Sequence, residues 1–451
     1  MPSARRARAR TAVDPARRVA YQALRAVDVE DAYLNLVLSS LLAEAGLSGR
    51  DAGFATELAD GTARLQGRYD AILDICVTGG VATLQPEVRT ALRLGVHQLL
   101  AMRVPSHAAV ATTVELIRDE AGERPVRLAN AVLRRVADTP LEDWLARLSS
   151  VVARFSHPDW IVDAFAEALR AEGAEDELEA LLEADNEAPR VTMATRPGLV
   201  GLEDLVAGGA VPGRFSPYAA TLPGGSPSDL PQVRAGTVGV QDEGSQLAAI
   251  ALTRAEVQGR DTRWLDMCAG PGGKAALLTG LARQRGASLV ASERLPHRAT
   301  LVARGLRAYP PPPLVLAADG TVPPWRDEAF DRVLVDAPCT GLGALRRRPE
   351  ARWRRTPDDL HALVPLQRSL LESALDSVRR GGVVAYVTCS PHAAETRGVV
   401  DVVLARRADV SEEDARALLP EVPGTGPGQH LQLWPHRHGT DAMFVALLRR
   451  R

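Results

Sequence analysis

Between residues 19 and 136 apolar side chains recur at every third or fourth position. Ala20, Leu24 and Val27, then Leu92, Val96 and Leu99, then Ala129, Leu133 and Val136 each draw the stripe of an amphipathic helix facing a core. Strand-like alternation is missing there, so residues 1–140 are predicted to be all helical. Residues 172–187 are rich in carboxylates and hold no basic residue, which predicts a solvated helical connector. Pro212-Gly213 and Pro223-Gly224-Gly225-Ser226-Pro227 then mark loops around short strands. Residues 141–235 are therefore expected to form a helical connector and a small RNA-binding α+β segment. From Gly236 the period changes. Apolar runs at Trp264–Met267, Leu289–Ala291, Leu314–Ala317, Val333–Val335 and Val383–Val387 read as buried strands, and Ala275–Arg285 and Pro296–Tyr309 read as helices between them. Alternating β and α units imply a parallel, doubly wound sheet over 236–451 with its ligand at the carboxyl ends of the strands.

A chain of 451 residues with these three stretches is multidomain: an all-α amino-terminal domain, a small α+β connector and a Rossmann-like α/β domain. No run approaches the roughly 18 apolar residues of a membrane span, and the arginine-rich Met1–Arg10 leads into no apolar signal segment. A soluble, cytoplasmic protein without a membrane partner is expected. The net charge of −2 speaks against coating nucleic acid by bulk charge and leaves local patches to do it. Arg127, Arg134 and Arg135 lie off the apolar stripe of their helix, and Arg5–Arg18 form a basic arm; both are placed to meet phosphates, although either also reads as a solvated face. Cys76, Cys268, Cys339 and Cys389 share no close spacing, which excludes a disulfide framework and a zinc pattern. His430, His436 and His438 read as surface histidines, and no metal is expected.

Of the 54 lysines and arginines only Lys274 is a lysine, and it ends the loop Asp266-Met267-Cys268-Ala269-Gly270-Pro271-Gly272-Gly273-Lys274. Glycines let a ligand approach the backbone, and the following helix offers its free N–H groups. A phosphate loop is excluded twice, by Cys268 at its first glycine and Ala275 at its hydroxyl position. A dinucleotide fingerprint fits poorly, with Ala275 in its third glycine place. The loop better suits a nucleoside that carries a carboxylate. Glu293, after the second strand, can accept from both ribose hydroxyls, and Asp319, after the third, can meet an adenine amino group. Together they favour S-adenosylmethionine.

Asp336-Ala337-Pro338-Cys339 follows the fourth strand and Thr388-Cys389-Ser390 the fifth, so both cysteines face the same crevice. Carbon 5 of cytosine is a poor nucleophile until a thiolate adds to carbon 6 and makes an enamine of the ring, a covalent step that cysteine suits. A free thiol is only slightly ionised at neutral pH, so a cation or helix terminus must assist it. A second cysteine can help eliminate the first.

The 268–274 loop, Asp336-Ala337-Pro338-Cys339, Arg346-Arg347-Arg348-Pro349 with Trp353, and Thr388-Cys389-Ser390 resemble the RNA (cytosine-5) methyltransferases of the Nop/Sun family. The helical block, with Asn130-Ala131-Val132-Leu133-Arg134-Arg135, resembles the NusB-like RNA-binding fold, which within that family marks the bacterial 16S ribosomal RNA branch, the RsmB or Sun type. The resemblance implies Cys389 as nucleophile and Cys339 as the residue that assists product release. It also implies that Cys268, Ala269, Gly270, Pro271, Gly272, Gly273, Lys274, Glu293, Asp319 and Asp336 contact S-adenosylmethionine, Lys274 and Asp336 within the catalytic centre. Gly239–Gln246 resembles the family's lead-in to the catalytic domain. Four departures stand out: Gly270 where alanine is usual, Glu293 where aspartate is usual, a single acid, Glu395, in place of a more acidic run after the nucleophile, and Asp441-Ala442-Met443-Phe444 in place of an Asp-Gly-Phe-Phe ending.

Arg346, Arg347, Arg348 and Trp353 are expected to contact RNA, since arginine pairs phosphates and an aromatic stacks on an unpaired base. The partner expected is 16S ribosomal RNA, met by a monomer. Transfer RNA is the rival substrate. An RNA-binding assembly or antitermination factor without activity is the rival from another class, and intact Cys389, Cys339 and Lys274 speak against it.

Overall fold

The computed structural model describes residues 13–30 and 32–451, so most of the basic arm lies outside the described residues. The chain divides into two compact units. One comprises the residues up to Asp159 together with Arg348–Arg354; the other comprises Trp160–Arg347 and Arg355–Arg451.

The first unit is helical. The three predicted stripes fall on Pro15–Glu30, Pro86–Leu100 and Val126–Ala137, and their apolar positions are buried with Leu58, Ile72 and Trp144 in one core, save Val27 and Leu99, which are half-buried against it. Arg93 makes a two-pronged pair with Asp70 at 2.6 and 2.7 Å beside that core. Arg127, Arg134 and Arg135 are exposed on the outer face of Val126–Ala137. The short insert from far along the chain is built into this unit. Arg352 is fully buried and donates to the Arg64 carbonyl at 2.7 Å and the Ser156 carbonyl at 3.2 Å. Trp353 lies so close to Gly67 that a β-carbon there would come within 2.5 Å of its ring.

The second unit carries two sheets. Strands β1 (Thr192–Thr195), β2 (Val211–Pro212), β3 (Ala219–Thr221) and β4 (Val238–Val240) form a small antiparallel sheet in the order β2-β3-β1-β4. The large sheet holds β5 (Arg263–Asp266), β6 (Ser288–Glu293), β7 (Leu314–Ala317), β8 (Phe330–Asp336), β9 (Val378–Thr388), β10 (Val410–Glu413), β11 (Leu431–Gln432) and β12 (Phe444–Arg450). Its order is β10-β12-β9-β8-β5-β6-β7, with β11 on β12. Strands β5 to β9 are parallel, and β12 runs antiparallel to β9. Alternate residues feed opposite faces. Trp264 and Leu334 pack with Leu247 and Leu278 on one side, while Leu265, Val333 and Val335 pack with Leu371, Leu375 and Val403 on the other. Helices cover both faces, as the doubly wound reading requires.

Two expectations change. The stretch 141–235 is divided between the two units, its residues before Trp160 clustering with the helical unit and those after it with the sheets, where β1 to β4 form a small sheet with its own core. The acidic stretch is also not simply solvated. Glu172 accepts from Trp434 Nε1 at 2.9 Å and from Arg437 at 2.6 Å, and Glu177 pairs with Arg437 and His436. Its carboxylates pair with cations more than 250 residues along the chain, too far for a local charge count to reveal.

Candidate active site

In the large sheet the chain goes from β5 to β6 on one side and later returns to β8 on the other. That reversal opens a crevice at the carboxyl ends of β5 and β8, the place where doubly wound sheets take ligands. Four adjacent strands each bring a carboxylate to it: Asp266 ends β5, Glu293 ends β6, Asp319 lies just past β7 and Asp336 ends β8.

Asp266 is fully buried and its carboxylate oxygens close no complete hydrogen bond. Burial, reinforced by the charge of Asp336, pushes its pKa up to about 8, against the opposing pull of Lys274 and the Cys268 N–H. Between Asp266 and the helix Gly273–Gln284, the loop folds tightly. Gly272 has φ +116°, a left-handed conformation that suits glycine. The Gly270 carbonyl accepts from Arg298 at 2.9 Å, and Arg298 pairs with Glu293 at 3.5 Å. Asp319 accepts from both the N–H and the hydroxyl of Thr321, which holds its carboxyl below the usual range.

Lys274, in the first turn of that helix, is 9% exposed and its Nζ lies 2.8 Å from Asp336 Oδ2. Burial alone would lower its pKa; Asp336, aided by Cys389 and Asp266, reverses the direction and keeps the ammonium charged. Cys339 follows β8 and Cys389 follows β9, its parallel neighbour, and their sulfurs are 3.4 Å apart. The Cys389 hydrogen bond, then burial and the charges of Glu395 and Asp336, hold the Cys339 thiol well above its ordinary pKa. Cys339 is thus kept as a thiol, and Cys389 acts electrostatically on the Lys274 ammonium. Cys268 is also held as a thiol, by burial and the surrounding carboxylates.

The predicted arginine segment is divided. Arg346, expected on an RNA-facing loop, is buried, and it pairs with Asp242 at 3.2 Å and Asp441 at 3.0 Å. Arg347 makes pairs with the same two carboxylates. Arg348 is exposed and Trp353 is 37% exposed, both within the helical unit. His436 binds Glu177, and His438 lies between the Trp434 N–H and the Pro423 carbonyl. Among the described residues no group of three histidines, cysteines or carboxylates could hold a metal ion, and no helix is long and apolar enough to cross a membrane.

The sequence marks Asp266 only as the start of the glycine loop; its place as the last residue of the first strand is the signal that singles it out. Thr340 and Gln367, which flank the thiols, gave none, because Gln367 comes from the helix Asp359–Ser377 packed on the sheet.

The carboxylate row, the buried acid without full partners and the tight glycine loop fit a nucleoside that carries a ribose diol and a charged amino-acid tail. Comparison with known proteins agrees. The family model for 16S rRNA methyltransferase RsmB/F matches residues 252–449, and the NusB family model matches 14–138. A putative methyltransferase of Mycobacterium tuberculosis is 52% identical over 98% of both chains. The ribosomal RNA small subunit methyltransferase B of Pseudomonas syringae pv. tomato is 33% identical over 96% of both. The crystal structure of PH0851 shares the fold, with a TM-score of 0.78 at 21% identity over 98% of this chain and 100% of that one. NSun6 from Pyrococcus horikoshii aligns with a TM-score of 0.54 at 18% identity, over 65% of this chain and 98% of its own. With a NusB-type helical unit preceding a doubly wound sheet whose crevice is furnished for S-adenosylmethionine, the chain belongs to the RsmB/F family of 16S rRNA methyltransferases, and S-adenosylmethionine is its cofactor.

Proposed function

We propose that this protein methylates carbon 5 of a cytosine in 16S ribosomal RNA through a covalent adduct at carbon 6. The observation that carries the reading is the pair of thiols 3.4 Å apart at the ends of adjacent strands, in the crevice that also holds the buried Lys274–Asp336 pair. Cys389 adds to carbon 6, and the electrons displaced from the ring double bond make carbon 5 nucleophilic. When bound, S-adenosylmethionine supplies an electrophilic methyl group. The carbon 5 proton is then lost to a base, the sulfur–carbon 6 bond breaks, and Cys389 leaves as thiolate; Cys339, the adjacent sulfur, assists this elimination. Glu293 would hold the ribose hydroxyls and Asp319 the adenine amino group. Cys268, Ala269, Gly270, Pro271, Gly272 and Gly273 would line the nucleoside with main-chain groups, and Lys274 and Asp336 would face its amino-acid tail.

The helical unit would serve as the RNA module through the exposed Arg127, Arg134 and Arg135, with Arg348 and Trp353 added by the insert. Bisulfite sequencing of ribosomal and transfer RNA from a strain lacking the gene tests the reading. Loss of one cytosine mark in 16S RNA supports it. A mark lost from transfer RNA alone would move the substrate, and no lost mark in either would favour an RNA-binding factor without catalysis.

A further inference from the structure

Glu395 is fully buried, six residues beyond the Cys389 thiol, and among the described residues no lysine or arginine pairs with it. A buried carboxylate is tolerated only with strong hydrogen-bond partners, and all of its partners belong to the thiol centre. Oε1 accepts from the Thr340 N–H at 2.8 Å and from Gln367 Nε2 at 2.9 Å; Oε2 accepts from the Thr340 hydroxyl at 2.5 Å. Gln367 Nε2 also donates to the Pro338 carbonyl at 2.8 Å, so the residues on both sides of Cys339 are gripped. The Thr340 hydroxyl lies 3.1 Å from that of Ser390, and the Gly343 N–H donates to the Cys389 carbonyl at 2.9 Å. Tyr386, from inside β9, donates to the Glu395 carbonyl and fixes the far end of the turn.

We propose that Glu395 is a positioning residue for the two-thiol centre: reaching out of the Cys389 turn to Thr340 and, with Gln367, to Pro338, it sets the distance between Cys339 and Cys389 that product release needs. The proposal deepens the reaction proposed above and rests on it. The Glu395 charge also faces Cys339 and favours its thiol form, but the grip is a matter of shape. Glutamine can reproduce it, with its carbonyl toward the Thr340 N–H and Gln367 and its amide donating to the Thr340 hydroxyl. Alanine cannot.

The thiol spacing can be read without RNA. Diamide takes two electrons and two protons from a close thiol pair and leaves a disulfide, which mass spectrometry of alkylated peptides counts, with Cys76 and Cys268 as internal controls. Wild-type protein and Glu395→Gln should form the Cys339–Cys389 disulfide quickly, and Glu395→Ala about tenfold more slowly, since a shift of about an ångström is enough to cost a reaction that much or more. If Glu395→Ala fails to fold, Thr340→Val, which keeps the N–H bond and removes the hydroxyl, should show a smaller slowing in the same direction. With RNA and S-adenosylmethionine, the alanine variant should accumulate covalent adduct while the glutamine variant releases product. Oxidation of Glu395→Ala at the wild-type rate would overturn the positioning role. A slowed disulfide in a protein whose wild type methylates no RNA would uphold the grip and overturn the reaction assigned to it.

Discussion

Gly270 and Glu293 share one volume: a β-carbon at position 270 would stand 2.1 Å from Glu293 Oε2 and 2.8 Å from the Arg298 guanidinium that pairs with it. Glu293 occupies this corner because position 270 carries no side chain. The longer acid needs the missing methyl group. Gly270→Ala should weaken S-adenosylmethionine binding about tenfold, about 1.4 kcal/mol, and Glu293→Asp in the same protein should recover most of that loss. Calorimetric titration of the four proteins of this cycle decides it, and strictly additive losses would separate the two positions.

Lys274 and Asp336 set a demand on shape as well as charge. The ammonium is a compact cation in a loop-to-helix turn with little exposed surface, and a guanidinium is a wide planar fork. Lys274→Arg should reduce methyl transfer about a hundredfold with an unchanged thermal unfolding curve. Near-full activity would show that any cation suffices there.

The two thiols should fail differently. Cys389→Ala should give neither adduct nor product, because the sulfur that adds to carbon 6 is gone. Cys339→Ala should still attack and accept the methyl group, then stay on its RNA as a slow-migrating band in a denaturing gel. Adduct in Cys389→Ala instead would exchange the roles.

Asp266 predicts a pH dependence with a definite sign. Its folded pKa of about 8 lies above the unfolded value near 4, so between those values the folded protein binds more protons than the unfolded chain. The contribution of this group to stability is full below about pH 4 and falls as the pH rises to about 8, by at most about 1.4 kcal/mol per pKa unit. Asp266→Asn removes that loss. The variant should match wild type near pH 4 and melt several degrees higher at pH 8, while binding S-adenosylmethionine less well. A melting difference that is constant across this range would mean that the acid is charged in the folded protein.

How much of this the sequence shows depends on the range over which each signal acts. The helical stripes and the parallel strands are local periodicities, and Leu314–Ala317 matches its strand to the residue, although it is the edge of the sheet and half exposed where a buried strand is expected. The two cysteines and the carboxylate row follow from strand ends, which the β-α alternation places. The antiparallel β10 was not legible, because Val410–Glu413 is short and mostly polar and becomes a strand by pairing with Phe444–Arg450. Nor was the fate of Arg346. A run of arginines reads as a phosphate contact until its partners are known, and those are Asp242 and Asp441, each about a hundred residues away in the chain. The same holds for Glu172 and Glu177, whose cations come from the carboxyl-terminal segment.

The insert Arg348–Arg354 gives the protein an order of birth. On the ribosome the helices up to Asp159 emerge first, but the residues that occupy the Arg64 and Ser156 carbonyls are translated about 190 residues later, after β5 to β8. At roughly 5–20 residues per second the nascent helical unit waits roughly ten to forty seconds with those carbonyls open to water. Its last piece arrives just after Cys339, on the same stretch of chain that brings the first of the two thiols. The helical unit therefore reaches its final form only when half of the reactive centre has been made, and a chain that stops short of that point carries neither a finished helical unit nor a working thiol pair.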